Sequence, residues 1–290
     1  MSPGLRYVHV DVFSARPYSG NGLPVFLDGA GLDVRQMQRI TQELRHFEAI
    51  FLTPTDETDR LRARIFDLFE ELPFAGHPII GAACALHAAE GSPGPRTFRF
   101  ELQEKCVTAT SSRTSDGYYA LLDQGAAEFL GEVEERASFA GLFSLVAADL
   151  DPLLPLAVVS TGLRYLIVPV TSAALAKARI ARDLGDALRA VQAHFAVLFD
   201  ERGLEMRHWN NDGVLEDVAT GSAAGAVGAY RLRYARARSG ETFVLRQGRF
   251  TGRSSELRVE PVGTPQAVSS VRVGGNVSIV GSGTLSVLPS

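Results

Sequence analysis

Glu71-Leu72-Pro73-Phe74-Ala75-Gly76-His77-Pro78 runs into Ile79-Ile80-Gly81-Ala82-Ala83-Cys84-Ala85-Leu86. Half a chain later, Glu216-Asp217-Val218-Ala219-Thr220-Gly221-Ser222 runs into Ala223-Ala224-Gly225-Ala226-Val227-Gly228-Ala229-Tyr230. Each stretch has an acidic residue, then a Gly, then a polar residue (His77 or Ser222), then small and apolar residues. That pattern predicts a tight turn opening a closely packed helix, with Pro78 at the first helical position, where its missing N–H is not needed. A motif written twice at half the 290-residue length predicts two similar lobes facing one cleft. A helix N-terminus presents free N–H groups and partial positive charge, so each turn is suited to hold a carboxylate or a developing negative charge. For either copy alone, a buried structural helix explains the residues as well. The repetition is what favours a functional reading.

Composition excludes several classes. With 46% hydrophobic and 21% charged residues, the chain can bury a sizeable core in one or two domains. No apolar run reaches the roughly 18 residues of a membrane-spanning helix, and Met1–Tyr7 lack the apolar core of a signal peptide. The net charge of −4 and the scattered basic residues argue against nucleic acid or an anionic membrane as partner. Two cysteines, Cys84 and Cys106, form neither a disulfide framework nor a metal-ligand pattern, and the histidines show no His-x-x-x-His spacing. The expectation is a cytoplasmic protein without a metal site.

Outward from the motif, Tyr7–Phe13 alternates as a strand, Ser14–Gly22 reads as a loop and Leu23–Leu27 as a second strand. Asp33 is placed to cap a helix carrying Met37, Ile40, Leu44 and Phe47 at helical spacing. Glu48 follows at the start of the strand Glu48–Leu52, where a solvated glutamate is the plainer reading. Leu61–Phe69 is a strand leading into the first Gly-turn. Thr97–Leu102, Cys106–Ser111 and Tyr118–Leu122 are strands, and Gln124–Glu135 reads as an irregular crossing into the second lobe. There, Ala157–Gly162 is a strand and turn, Tyr165–Val170 is a strand and Ala173–Phe195 has a helical pattern. Ala196–Asp200, Leu204–Trp209, Phe243–Gly248, Glu256–Val259, Val271–Val273 and Val277–Val280 complete the strands. Gly281-Ser282-Gly283 is no dinucleotide loop, because no helix follows it. Many strands with few helices make an α+β chain rather than the regular alternation of a Rossmann sheet.

At Asp11-Val12-Phe13, Gly20-Asn21, the helix leading to Glu48, both Gly-turn motifs, Gln247-Gly248 and Val273-Gly274-Gly275, the sequence resembles the PhzF family of phenazine-biosynthesis isomerases. The resemblance covers nearly the whole chain. It implies a diaminopimelate-epimerase-like fold of two pseudo-symmetric lobes, each a strand-rich, barrel-like sheet wrapped around a central helix. Residues 1–120, completed by 272–290, would form one lobe and 121–271 the other, with the active site in the cleft. The family's catalytic carboxylate matches Glu48, and its other site residues match His77, Asp217 and Ser222. Related epimerases and racemases carry a cysteine at each Gly-turn. This chain has His77 and Ser222 there, which excludes a two-cysteine racemase. Three departures bear on the pocket: Gly22 stands where the family usually has Pro, Phe47 where it has Ser, and Val218 where it has Pro.

These residues lead to an expected reaction: a cofactor-independent proton shift on a small cyclic or unsaturated amino or hydroxy acid resembling trans-2,3-dihydro-3-hydroxyanthranilate. Glu48 would be base and then acid, its pKa raised by apolar neighbours such as Phe47 and Ile50. Gly76, Gly221, Ser222 and Asn21 would bind the substrate, its carboxylate included. His77 would act as a neutral partner, and Asp217 would orient a substrate amine or hydroxyl, or His77. The resemblance further implies a homodimer. Two alternatives belong to other classes: a non-catalytic small-acid-binding protein on the same scaffold, and a Ser222–His77–Asp217 hydrolase. The second lacks nucleophile-elbow spacing.

Overall fold

The computed structural model describes residues 4–57, 59–103 and 105–290. The chain divides into two compact units. Residues 1–123 with 274–290 form the first, and residues 124–273 the second.

The first unit contains β1 (Leu5–Val12), β2 (Asn21–Phe26), α1 (Val34–Leu44), β3 (Glu48–Pro54), β4 (Arg60–Asp67), β5 (Glu71–Leu72), α2 (Gly76–Glu90), β6 (Arg96–Glu101), β7 (Cys106–Thr114) and β8 (Gly117–Asp123). Starting from β1, the pairings run antiparallel to β2, parallel to β3, antiparallel to β4, parallel to β6, then antiparallel to β7 and β8. The later part of the strand Ala267–Leu285 pairs with both β8 and β1 and closes an eight-stranded barrel. Closure leaves no free sheet edge among these eight strands.

Helix α2 packs against β1, β2, β3, β6, β7 and β8, and is buried nearly all round, as expected of a helix that is apolar on every face. Its small residues are required by contact. A Cβ added at Gly81 would lie 2.6 Å from Leu23 and about as close to Val12 and Val10 as a side chain can come. One polar side chain in this core is fully served: His87 Nδ1 lies 3.0 Å from Ser111 Oγ, and Nε2 lies 3.0 Å from the Ser92 carbonyl. Cys84 is buried beside Ser111, and burial pushes its thiol up to about 12, whereas Cys106 is exposed. A thiol reagent at mildly alkaline pH is therefore expected to modify Cys106 in the folded protein and Cys84 only after denaturation. Peptide mass mapping checks this; equal rates at both sites would contradict the burial of α2.

On the outside, α1 packs on β3 and β4 through Met37 and Ile40, which meet the stacked rings of Phe26 and Phe51 and the ring of Phe66, edge-on to Phe51. Asp33 caps it as expected. Its carboxylate accepts from the Gln36 N–H at 2.8 Å, and the Gln36 side chain accepts from the Asp33 N–H at 3.0 Å. The helix stops at Arg45, in the left-handed region with φ 58°, and the chain turns directly into β3 with Glu48 first.

The second unit contains β9 (Glu128–Val133), α3 (Arg136–Leu142), β10 (Leu156–Ser160), β11 (Arg164–Pro169), α4 (Ser172–Lys177), α5 (Gly185–Ala190), β12 (Phe195–Asp200), β13 (Glu205–Trp209), β14 (Glu216–Asp217), α6 (Gly221–Arg233), β15 (Phe243–Gln247), β16 (Ser255–Thr264) and the first residues of β17 (Ala267–Leu285). From β10 the pairing sense repeats that of the first unit: antiparallel to β11, parallel to β12, antiparallel to β13, parallel to β15, antiparallel to β16. Helix α6 takes the place of α2 and packs against β10, β11 and β16. A Cβ at Gly228 would lie 2.5 Å from Val259.

Several expectations need correction. Both helices begin at their glycine, so Pro78 occupies the third helical position rather than the first. It is tolerated there because the first four N–H groups of a helix have no intrahelical acceptor. Asn21 and Gly22 belong to β2 rather than to the loop before it. Gln124–Glu135 is not irregular: it includes β9, which pairs with β10. The helical pattern of Ala173–Phe195 resolves into two six-residue helices, with a break where Arg179 and Ala181 donate their N–H groups to the carbonyls of Phe143 and Leu142. Val271–Val273 and Val277–Val280 lie in one continuous strand, β17.

Candidate functional site

The first Gly-turn presents a buried acid beside an imidazole. Glu48 begins β3 at 7% exposure, so it is not the solvated strand-start residue of the plainer reading. His77, second in α2 and 2% exposed, places Nδ1 3.1 Å from Glu48 Oε2. Ala75 precedes the helix without a side-chain cap, and Gly76 occupies the first helical position. Asn21, 2% exposed, opens β2 opposite Val12.

Behind this turn, Arg64 on β4 grips Glu71 on β5 with two hydrogen bonds, at 2.8 and 2.6 Å. Donating to Glu71 raises the Arg64 pKa. Burial alone would raise that of Glu71, but the bonds from Arg64 and Gln103 and the Arg64 charge outweigh it, so the carboxyl stays below its ordinary range.

The second Gly-turn is braced in the same way and more deeply. Arg207 on β13 donates from Nε and Nη2 to Glu216 on β14, at 2.8 and 2.7 Å. Its Nη1 also donates to the carbonyls of Leu175 and Ala178, and the guanidinium lies over the rings of Trp209 and Phe250 at 4.3 and 4.1 Å. Asp217, 2% exposed, accepts from the Thr220 hydroxyl at 2.5 Å. Gln247 clamps this turn. Its Nε2 donates to the Asp217 carbonyl and to Thr220 Oγ1, and its Oε1 accepts from the Thr220 N–H. Gln124 donates to the carbonyl of Gly221 and accepts from Thr161. Ser222 Oγ is 2.8 Å from the hydroxyl of Tyr165. That partner is a phenol, a poor general base beside the imidazole a serine nucleophile requires.

Gly248 carries the sharpest backbone constraint of this turn. Its φ is 87°, and a Cβ would lie 2.3 Å from the carbonyl oxygen of Arg253 and 2.6 Å from that of Val218. Both obstacles are main chain and cannot swing away. Gly248→Ala is expected to destabilise the protein by about 2 kcal/mol or more. Urea unfolding checks this, and an unchanged midpoint would refute it.

Sequence reasoning singled out Glu48, His77, Asp217, Ser222, Asn21, Gly76 and Gly221, and missed the residues that hold them. Glu48 and His77 come together in the first unit. Asp217, Gly221 and Ser222 share the turn of the second. The missed signal was legible in part: each motif's Glu has an Arg on the strand before it, Arg64 and Arg207, so the repeat extends further than the turns. Among the described residues no group of His, Cys, Asp and Glu is arranged to hold a metal ion, and no helix is long and apolar enough to cross a membrane.

Residues 10–283 match the family model described as phenazine biosynthesis-like protein, PhzC-PhzF. The trans-2,3-dihydro-3-hydroxyanthranilate isomerase of Pseudomonas aeruginosa is 30% identical over 292 residues, covering 93% of this chain and 95% of that one. The solved structure of a protein described as a predicted epimerase, also from Pseudomonas aeruginosa, is 48% identical and superposes with a TM-score of 0.93 over 98% of this chain and 99% of that one. A hydroxyproline epimerase from Agrobacterium vitis, 13% identical with a TM-score of 0.66 over 98% of this chain and 93% of that one, shares the fold.

Proposed function

The chain belongs to the PhzC-PhzF, phenazine biosynthesis-like family, whose relatives with named activities are isomerases, and from that premise we propose that it shifts a proton on a small cyclic or unsaturated amino or hydroxy acid of the trans-2,3-dihydro-3-hydroxyanthranilate type. Glu48 removes a proton from one carbon. The double bond moves, and the same carboxyl returns a proton to another carbon, so substrate and product are isomers and no electrons leave the pair. His77 stays neutral and holds the Glu48 carboxyl in place. Gly76 and Gly221 offer helix-terminal N–H groups to the substrate carboxylate and to charge developing on the substrate. Ser222 and Asn21 bind the substrate, and Asp217 orients its amine or hydroxyl. The reaction needs no cofactor in this reading.

The observation that carries the proposal is the 3.1 Å approach of the buried Glu48 and His77 at the first turn of α2. Burial of a carboxyl beside a helix N-terminus gives one group that can both take and return a proton. The experiment is proton NMR of the purified protein in D₂O with trans-2,3-dihydro-3-hydroxyanthranilate. Loss of the C3 proton signal with deuterium entering at a new carbon is expected. A spectrum unchanged after prolonged incubation would reject this substrate. The reading also includes a cytoplasmic homodimer. Light scattering on the eluting protein should give twice the chain mass; a single chain mass would remove the dimer from it.

A further inference from the structure

Two buried residues beside the second turn have no task in the scheme above. Tyr165 on β11 is 2% exposed and His208 on β13 is 3% exposed. The Tyr165 hydroxyl lies 2.8 Å from Ser222 Oγ. The Tyr165 and His208 rings meet edge-on, with centroids 5.6 Å apart, and Phe195 packs edge-on against the same imidazole at 5.5 Å. His208 is also the antiparallel partner of Asp217 across β13 and β14. Directly paired residues leave the same face of a ladder, with Cβ atoms about 5 Å apart.

The protonation of His208 follows from its partner. Nδ1 is 2.8 Å from the carbonyl oxygen of Ala196. A carbonyl only accepts, so Nδ1 carries the proton, and the neutral ring keeps its lone pair on Nε2. Burial lowers the pKa of this histidine. The Asp217 charge, the bond to Ala196 and the Glu216 charge act in the opposite direction without reversing it. A neutral ring leaves the negative charge of Asp217 intact, whereas an imidazolium would neutralise it.

We propose that Tyr165 and His208 are positioning residues of this enzyme: Tyr165 orients the Ser222 hydroxyl before a substrate arrives, and His208, its Nδ1 proton held by the Ala196 carbonyl, fixes the Tyr165 ring. The inference rests on the isomerase reading of Ser222. Its physical basis is preorganisation. A serine hydroxyl turns freely about its Cβ, but the Tyr165 ring is locked between Phe195 and His208, so its hydroxyl supplies a fixed partner. Asp217 is held in the same manner by Thr220 on its own turn. Groups set in advance need no reorganisation when charge develops.

The test uses the full chain with Tyr165→Phe, His208→Met and His208→Gln. Tyr165→Phe is expected to raise KM about tenfold with kcat nearly unchanged, and His208→Met, which frees the Tyr165 ring, to raise KM by a smaller factor. His208→Gln keeps an N–H for the Ala196 carbonyl and should reverse part of that rise. Added to Ser222→Ala, Tyr165→Phe should have no further effect. An equal loss with and without Ser222, or a loss of folded protein with unchanged constants, would overturn the proposal. A second readout does not depend on turnover: the hydroxyl proton resonance of Tyr165, sheltered by its contact with Ser222, should shift on Ser222→Ala. If the wild type fails to turn over, the isomerase reading fails, and this resonance decides the Tyr165–Ser222 contact alone. No shift would overturn the proposal.

Discussion

Glu48→Gln is expected to lower proton-shift turnover by about a thousandfold or more, within the range typical of a lost general acid–base group. The substitution keeps the size of the side chain and its capacity for hydrogen bonds. What it removes is the ability to accept a proton from carbon. Glu48 is the first residue of β3, fixed by ladder pairing with Asp67 on β4, so the backbone has little reason to move. Binding of the substrate should survive, because the groups proposed to hold its carboxylate are main-chain N–H groups of Gly76 and Gly221. The expected signature is a collapsed kcat with KM little changed. Turnover within about tenfold of wild type would place the acid–base group elsewhere.

The second large effect is structural. Arg207→Ala is expected to destabilise the protein by about 3–5 kcal/mol, the cost of leaving one partner of a buried ion pair behind. The Arg207 side chain is 3% exposed and that of Glu216 15%, so the orphaned carboxylate has little water to turn to. The loss also frees the carbonyls of Leu175 and Ala178 and removes a cation from the faces of Trp209 and Phe250. Its counterpart in the first unit makes the comparison quantitative. Glu71 is as exposed as Glu216, at 15%, but Arg64 is 24% exposed against 3% for Arg207, so Arg64→Ala, which loses this better-hydrated cation, should cost only about 1–2 kcal/mol. Chemical denaturation of both variants measures the difference. Equal losses would mean that burial does not set the strength of these braces.

The parts of the molecule legible in the sequence are those whose cause is local. Asp33 and Gln36 stand three residues apart and form the expected capping box. The runs of Gly and Ala after Gly76 and Gly221 form helices that approach their strands closely, and both begin at their glycine. Glu48 was legible as a strand start. Its burial was not, because that depends on α2, nearly 30 residues later in the chain. The support of the second turn is distant in the same way. Tyr165 reaches Ser222 across 57 residues, and Gln247 reaches Thr220 across 27. Periodicity sees neither contact. The segment Ala173–Phe195 shows the converse. Its residues suit a helix, but hydrogen bonds to Leu142 and Phe143 hold Arg179 and Ala181 out of one. Tertiary bonding overrides local preference there. In β9 the alternation is masked by three acidic or glycine positions among six residues, Glu128, Gly131 and Glu132, on a strand that is largely solvated.

The central claim is that one carboxyl takes a proton from one carbon of the substrate, exchanges it with solvent and returns a proton to another carbon. The most direct measurement is the position of deuterium in the product formed in D₂O by the wild type and by Glu48→Gln. The account predicts one deuterium at the carbon that gains a hydrogen with the wild type, and no product with the variant. Product of the same composition formed by both proteins at similar rates would contradict it.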